Sequence, residues 1–94
     1  TLGLEGEPLS SFDQHYYRLP AGLYITGVDR TSDAAAKGIE EGDILISING
    51  INVTTMDALT GAVYKLDIGD TVEAVVYRSG KQYRVSLTAT EDKG

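Results

Sequence analysis

A short polar stretch near the N-terminus, SSFDQH, brings two serines, an aspartate and the single histidine of the chain together. A serine activated by histidine, with a carboxylate orienting the ring, performs acyl transfer in hydrolases. That chemistry also needs an oxyanion hole and groups assembled from distant segments, and no G-x-S-x-G turn presents a serine here. We therefore predict no catalytic residue among Ser10, Ser11, Asp13 and His15, and we interpret His15 as a solvated loop residue.

A second cluster of ionisable side chains, Glu40, Glu41 and Asp43, has the oxygen ligands that a cation would need. Its spacing does not follow the D-x-D-x-D-G pattern of calcium loops. The chain has no cysteine, which excludes thiolate metal sites and cysteine nucleophiles. The sequence therefore predicts a solvated acidic turn at this cluster, with no metal site and no cofactor.

The first four residues, Thr1-Leu2-Gly3-Leu4, place a glycine between two leucines at a chain end, where polar residues are more usual. A glycine in this setting lets consecutive backbone N–H groups turn toward one point and form a small concavity that suits a carboxylate. Apolar neighbours exclude water and so strengthen charge-assisted hydrogen bonds. Taken alone, the triplet fits an ordinary edge strand better than a carboxylate-binding loop.

The composition narrows the class of protein. Ninety-four residues, 41% of them hydrophobic and 23% charged, are sufficient for one folded domain, which we expect to cover residues 1–94. The net charge is −6, and the eight Lys and Arg residues are scattered rather than gathered in a stripe, which argues against a nucleic-acid partner. The longest apolar runs, such as DILISI and VEAVVY, are much shorter than the roughly 20 residues of a membrane span.

The elements that must position any site follow from hydrophobic periodicity and from turn and cap residues. After a short N-terminal strand and a loop with one helical turn, the predicted strands are residues 23–28, 44–48, 51–53, 71–77 and 83–88. Thr31 or Ser32 caps a helix at 33–37, and Thr54 or Thr55 caps a second helix at 56–66. Asn49-Gly50 and the RSGK segment are the expected tight turns. This order predicts an α+β fold, a small curled sheet of five or six strands closed by two helices.

Side-chain alternation gives a first estimate of the core. We expect Ile44, Ile46 and Ile48 to share one face of their strand, and Tyr83, Val85 and Leu87 to point inward from the last strand. On the second helix, the apolar residues recur at steps of three and four and form one face. These are Leu59, Ala62, Val63 and Leu66.

Three stretches in this order resemble a PDZ domain: GLYITGVDRTSDAAAKGIEEGDILISINGINV, then DALTGAVYKLDIGDTVEAVVYRSGK, then YRVSLT. The resemblance covers nearly the whole chain and is most specific between Asp33 and Val53, including GDILISING at 42–50. It is closest to the circularly permuted form attached to bacterial trypsin-like serine proteases of the HtrA (DegP-like) family. A PDZ-like, partly open antiparallel sheet is therefore the implied fold, and the chain is implied to be part of a larger protease.

The resemblance also implies a peptide-binding site and the residues that form it. The x-Φ-G-Φ loop of the family, where Φ is apolar, corresponds to the first four residues and would bind a ligand's carboxylate: Thr1, Leu2, Gly3 and Leu4. The next residues would pair with an extended ligand by strand addition: Glu5, Gly6 and Glu7. The second helix would face them and supply an apolar pocket: Leu59, Thr60, Val63 and Leu66. For Leu59, Val63 and Leu66, a role in the ordinary core remains equally open.

The implied ligands are hydrophobic C-termini of unfolded or misassembled proteins. In one PDZ variety a histidine at the start of the helix selects a hydroxyl residue, but the matching position here is about Leu59 or Thr60. We therefore expect an apolar preference across the last three ligand residues. Lys37 departs from the small residue common at its position, which changes surface charge more than function.

For the parent protein, the resemblance implies a serine endopeptidase whose protease domain precedes Thr1 and is itself a partner. Its location would be outside the cytoplasm, in the cell envelope or secreted, and a membrane-anchored homo-oligomer is left open. Two alternatives also remain open. The domain could act mainly as a regulatory latch on its own protease or oligomer, or it could belong to a membrane metalloprotease or a carboxyl-terminal processing protease.

Overall fold

An antiparallel sheet of six strands forms the centre of the computed structural model, which describes residues 2–89. Three helices accompany the sheet, one more than the two expected from the sequence. The elements in chain order are β1 (Leu4–Pro8), α1 (Ser11–Tyr16), β2 (Leu23–Val28), α2 (Asp33–Ala36), β3 (Ile44–Ile48), β4 (Ile51–Asn52), α3 (Met56–Val63), β5 (Thr71–Arg78) and β6 (Lys81–Thr88). The predicted α+β class, a small antiparallel sheet accompanied by helices, is confirmed.

The strands are ordered β1-β2-β3-β5-β6, and β4 adds a short pairing to β3. β1 therefore lies at one edge of the sheet, and α3 packs against it. None of the helices within residues 2–89 is long and apolar enough to cross a membrane.

Local hydrogen bonds explain where the helices begin. The hydroxyls of Ser10, Ser32 and Thr55 accept from the backbone N–H groups three residues ahead, at 3.0, 3.2 and 3.0 Å, so each serves as the N-cap of its helix. Of the alternative caps predicted for the two main helices, Ser32 and Thr55 are the ones used. Asn49 and Gly50 have φ angles of +50° and +81°, which is the geometry that joins two strands through a two-residue turn.

The alternation predicted for β3 is wrong. Leu45 and Ile48 are fully buried in the main core cluster, whereas Ile46 is only half-buried. The pairing with β5 skips one residue between Leu45 and Ser47, so Ile46 is an extra residue in a bulge. A bulge interrupts the period of two, and residues three apart then share the core face.

The prediction that side chains of β6 point into the core is correct only near the C-terminal end of the strand. Leu87 is fully buried and Val85 half-buried, but Tyr83 is 46% exposed, so its predicted core position is wrong. Helix α2 packs on β6 near Thr88, whose N–H donates to Asp33 Oδ2 at 2.9 Å. Tyr83 lies closer to the β5–β6 turn, beyond this contact.

Candidate functional site

The N-terminal leucines are part of the core rather than a frayed end. Leu2 and Leu4 are 3% and 6% exposed and both belong to the main hydrophobic cluster. Gly3 lies between them and is half-buried. Thr1, the first residue of the predicted carboxylate-binding loop, lies outside the described residues. The segment from Leu2 to Leu4 is therefore anchored on both sides of its glycine.

Gly3 is required by its conformation and by its neighbours. Its φ of +74° lies in the left-handed region that glycine adopts without steric cost. A Cβ placed on Gly3 would lie 2.6 Å from the Cβ of Ser32 and 3.1 Å from the Cβ of Asp29, too close for any side chain. The Gly3 carbonyl also accepts a 2.8 Å hydrogen bond from the Asp29 N–H. The loop is thus fitted against the turn that follows β2.

That turn, residues 29–32, is itself held by several hydrogen bonds. Asp29 Oδ1 accepts from the N–H and the hydroxyl of Thr31 at 2.9 and 2.8 Å. The buried Ser32 hydroxyl donates to the Asp29 carbonyl at 2.6 Å while it caps α2. Sequence reasoning found Ser32 as a cap but missed Asp29, because its contact with Gly3 joins residues far apart in the chain. The turn therefore fixes the position of the segment that precedes β1.

Strand β1 contains the residues predicted to pair with a ligand, Glu5, Gly6 and Glu7. Among residues 2–89, β1 pairs with β2 alone. Alternate backbone groups of a strand point to opposite edges, so pairing with β2 uses one edge and leaves the other toward α3.

The side chains of β1 alternate between the two faces of the sheet. Leu4 and Gly6 lie opposite Val28 and Ile25 on one face. Glu5 and Glu7 lie opposite Gly27 and Tyr24 on the other face.

Gly6 allows the close approach of β1 and β2. The register shifts between Glu5 and Gly6, and a Cβ on Gly6 would lie 2.6 Å from the Tyr24 carbonyl oxygen. That oxygen is backbone and cannot rotate away. A side chain at Gly6 would therefore push the edge strand off the sheet.

Helix α3 faces β1 and holds the other predicted site residues. Leu59 is 3% exposed and belongs to the core cluster, Thr60 is exposed, and Val63 is half-buried against the core. The helix ends at Val63, so the prediction that it continues to residue 66 is wrong. Leu66 lies in the following turn, where its N–H donates to the Val63 carbonyl at 3.0 Å, and it remains half-buried.

The early helix end has a local cause. Gly61 lowers the helix propensity of this segment by about 1 kcal/mol relative to Ala. Asp67 then begins a turn, since its N–H donates to Asp70 Oδ2 at 2.9 Å and its carbonyl accepts from the Asp70 N–H at 3.0 Å. Leu66 consequently lies between Val63, where α3 ends, and the turn that begins at Asp67.

Two half-buried apolar residues of α3, Met56 and Ala58, were not among the predicted groove residues. Met56 lies three residues before Leu59 and seven before Val63, which is the spacing of one helix face. Extending the apolar series toward the N-cap would have found it. The face of α3 that packs toward β1 and the core is thus apolar from Met56 to Val63.

Comparison with known proteins identifies the fold. The sequence profile described as PDZ domain matches residues 1–88. The chain belongs to the PDZ domain family. This PDZ domain is therefore a binding module, as the sequence resemblance implied.

Its relatives include serine proteases. The PDZ domain is 37% identical to the "Probable periplasmic serine endoprotease DegP-like" of Halomonas elongata over 92% of its own length and 18% of that protein. It is 32% identical to the "Periplasmic serine endoprotease DegP" of Escherichia coli strain K12 over 92% of its length and 19% of that protein. The chain thus spans less than a fifth of these curated relatives.

Solved structures show the same fold. "HtrA-type protease AlgW with decapeptide" superposes with a TM-score of 0.81 at 24% identity, covering 96% of the PDZ domain and 28% of that chain. The "HtrA3 PDZ Domain Bound to a Phage-Derived Ligand (FGRWV)" gives a TM-score of 0.78 at 20% identity, covering 94% and 82%.

The acidic cluster of the PDZ domain is not the fully solvated turn predicted from the sequence. Asp43 is 3% exposed, and its Oδ1 accepts from Arg78 Nε at 2.7 Å. Its Oδ2 accepts from the Glu40 N–H at 2.9 Å. Burial raises the pKa of Asp43, but the bonds from Arg78 and Glu40 and the charge of Arg78 outweigh it, so the pKa lies below its ordinary value. Asp43 therefore ties the loop before β3 to β5.

The serines and His15 of the PDZ domain do not form a catalytic arrangement within residues 2–89. Ser10 uses its hydroxyl as the cap of α1, where it accepts the Asp13 N–H, and His15 is exposed in the last turn of that helix. Two rings beside it are also exposed: Tyr16 and Tyr17 are 66% and 61% accessible and contact each other edge to face.

Proposed function

We propose that this domain captures the hydrophobic C-termini of other polypeptides in the trough between β1 and α3. The observation that carries the proposal is the position of β1. It is an edge strand with one side toward an apolar helix, and it follows a glycine loop seated in the core. An extended peptide can add to such an edge through main-chain hydrogen bonds.

The order of loop and strand sets the direction of the ligand. A ligand antiparallel to β1 runs from Pro8 toward Leu4, so its last residue arrives beside Leu2, Gly3 and Leu4. We assign the carboxylate to the backbone of this loop, together with Thr1, and the main-chain pairing to Glu5, Gly6 and Glu7. The buried leucines on both sides keep water away, which strengthens charge-assisted hydrogen bonds to the carboxylate.

The last ligand side chain would enter the apolar trough beside α3. The buried Leu59 would form its floor, and the half-buried Val63 and Leu66 would form its walls. The exposed Thr60 would lie at the rim. Since no charged group occupies these positions, we expect an apolar preference across the final three ligand residues. The ligand FGRWV of the HtrA3 domain ends in Trp and Val but has Arg third from its end, so it supports the apolar preference at the last two positions only.

For the parent protein, we propose a serine endopeptidase of the HtrA type. Peptide capture would deliver unfolded or misassembled substrates to the attached protease domain or relieve its inhibition. The two relatives named as periplasmic support a location outside the cytoplasm.

The test is a titration of peptides with free and amidated C-termini. Because a short ligand must be ordered on binding, we expect a Kd on the order of micromolar for peptides ending in three apolar residues. Amidation removes the charge and should weaken binding at least about tenfold, as expected for the loss of a charge-assisted bond of roughly 1.5–3 kcal/mol. Equal affinity of the two forms would show that the loop does not bind a carboxylate.

A pair of variants on α3 locates the binding. Val63→Glu places a charge in the proposed pocket and should abolish binding. Gly61→Glu places the same charge two residues away, on the exposed side of the helix, and should leave binding unchanged. Circular dichroism of both variants verifies that the fold is intact. If Gly61→Glu impairs binding as much as Val63→Glu does, the ligand does not lie where we place it.

A further inference from the structure

A hollow of about 410 Å³ lies at the far end of β1, on the sheet face opposite the core. We call it the tyrosine hollow. It is lined by Glu7, Leu9, Asp13, Tyr17, Leu19 and Tyr24, with Pro8 completing the wall. Strand β1, the following loop, helix α1 and strand β2 each contribute to it, so its shape depends on the tertiary fold.

The hollow has an unusual combination of side chains. Tyr17 and Tyr24 are 61% and 40% exposed, although large rings are more often covered. Glu7 and Asp13 carry carboxylates, and neither forms an ion pair within residues 2–89. Leu9 and Leu19 are half-buried beside them. Two negative charges, two exposed tyrosine rings and an aliphatic surface therefore meet in one depression.

The position of the hollow connects it to the proposed peptide path. In a ligand antiparallel to β1, the last residue would lie opposite Leu4. The residue three positions before it in the ligand would lie opposite Glu7. Side chains of a strand alternate between the two faces of a sheet. If the last side chain of the ligand enters the trough, the side chains second, fourth and sixth from its C-terminus therefore lie on the opposite face of the sheet. That is the face of Glu5 and Glu7. The fourth residue from the end is then opposite Glu7, and the sixth lies over the loop at Leu9.

The chemistry of the lining selects the side chain that fits. Opposite charges on neighbouring strands attract, and like charges repel, so Glu7 favours a cation and disfavours Asp or Glu. A guanidinium or ammonium group gains further from the face of a tyrosine. The aliphatic stem of Arg or Lys can lie along apolar surface such as that of Leu9 and Leu19.

We propose that the tyrosine hollow binds an Arg or Lys side chain of the peptide, at the fourth or sixth position from its C-terminus. The inference rests on the proposed capture of C-termini along β1. It adds a second determinant to that function: an apolar end is necessary, and a basic residue upstream selects among apolar ends.

Labelled octapeptides with three C-terminal valines in an otherwise Gly/Ser sequence provide the test, with affinity measured by fluorescence anisotropy. One series places a single Arg at the fourth, sixth or eighth position from the C-terminus, and matched series place citrulline or Glu there. We expect Arg at the fourth or sixth position to bind about 3- to 30-fold tighter than Arg at the eighth, from one cross-strand charge pair and one exposed cation–π contact. The eighth-position peptide controls for general attraction to a protein with a net charge of −6.

Variants assign the effect to the hollow. Asp13→Asn and Tyr17→Ala should each reduce the gain from Arg while leaving the affinity of the Gly/Ser peptide unchanged. Glu73→Gln removes one charge from β5, on the far side of β2 and β3, and should preserve the gain. The gain should also shrink as salt rises, because exposed charges are screened.

The outcomes separate the two proposals. If the free-acid peptides bind better than their amides but Arg at the fourth and sixth positions gives no gain over citrulline, the hollow does not select cations and only this inference is overturned. If Arg gives the same gain at all positions, or if Glu73→Gln removes it as fully as Asp13→Asn, attraction is nonspecific and the inference is again overturned. If amidation has no effect, both the proposed function and this inference fall.

Discussion

Replacing Gly3 by alanine tests the physical basis of the N-terminal loop. The φ of +74° would hold the alanine in the left-handed region, at a cost of about 1–2 kcal/mol. Its Cβ would also lie 2.6 Å from Ser32 Cβ and 3.1 Å from Asp29 Cβ, atoms fixed to their own backbones. Forcing extra volume into such a packed position costs about 1–3 kcal/mol more. We expect Gly3→Ala to lower the free energy of unfolding by about 2–5 kcal/mol in total.

Gly38→Ala is the matched control. Gly38 also has a left-handed φ, +88°, but a Cβ there meets nothing within 4 Å. This variant should therefore show only the conformational cost of about 1–2 kcal/mol. The difference between the two variants measures the collision with the turn at residues 29–32.

Urea denaturation followed by far-UV circular dichroism provides the measurement, since the chain has no tryptophan. For a domain of this size, each kcal/mol shifts Tm by about 4–8 °C, so the two variants should differ clearly in thermal melts as well. Ser32→Gly removes the nearest Cβ and should reduce the cost of Gly3→Ala when the two changes are combined. Equal destabilisation by Gly3→Ala and Gly38→Ala would refute the packing argument.

Two further predictions concern hydrogen bonds of single side chains that hold the fold together. Asp43→Asn should lower the free energy of unfolding by about 1–3 kcal/mol near neutral pH, because the partly exposed Arg78 keeps some access to water. The folded-state pKa of Asp43 is depressed, so its contribution to stability is present above its unfolded pKa and is lost as pH falls through the lower folded value. In urea melts at several pH values, the difference in free energy of unfolding between wild type and variant should therefore shrink below about pH 4. A difference that stays constant with pH would contradict this. Thr55→Ala removes the acceptor for the Ala58 N–H, 3.0 Å away, and should lower the free energy of unfolding by about 1 kcal/mol. Amide hydrogen exchange in α3 should become faster, and unchanged exchange would show that the cap is dispensable.

Features with a local signal were predictable from the sequence. The turn at Asn49-Gly50 follows from residues that tolerate positive φ, and the caps at Ser32 and Thr55 follow from side chains that can accept the first free N–H groups of a helix. The strand at 23–28 was predicted with the bounds that the structure gives. In these cases one short segment contains all the necessary information.

Features that depend on distant partners were not predictable in the same way. The bulge at Ile46 arises from the register with β5, and a one-residue shift changes which side chains reach the core. Asp43 is buried because Arg78, 35 positions later, reaches it. Tyr83 alternates correctly along β6 but lies where α2 does not cover the strand. Periodicity gives the face of a strand, but the neighbouring elements decide whether that face is buried.

The candidate site shows the same division. The glycine between two leucines was visible in the sequence, as was the apolar face of α3. The contact of Gly3 with Asp29 and Ser32 was not, and neither was the hollow beside Tyr17 and Tyr24, because each joins separate segments of the chain.

The central claim is that the loop at Leu2, Gly3 and Leu4 receives the carboxylate of a peptide that lies along β1. The most direct measurement is a titration of the ¹⁵N-labelled domain with a peptide ending in three valines, as free acid and as amide, followed by two-dimensional NMR. The account predicts that the free acid shifts the amides of residues 2–7 and of α3 most strongly, and that the amide form loses the shifts at residues 2–4. Shifts concentrated elsewhere on the sheet, or identical for both peptides, would contradict it.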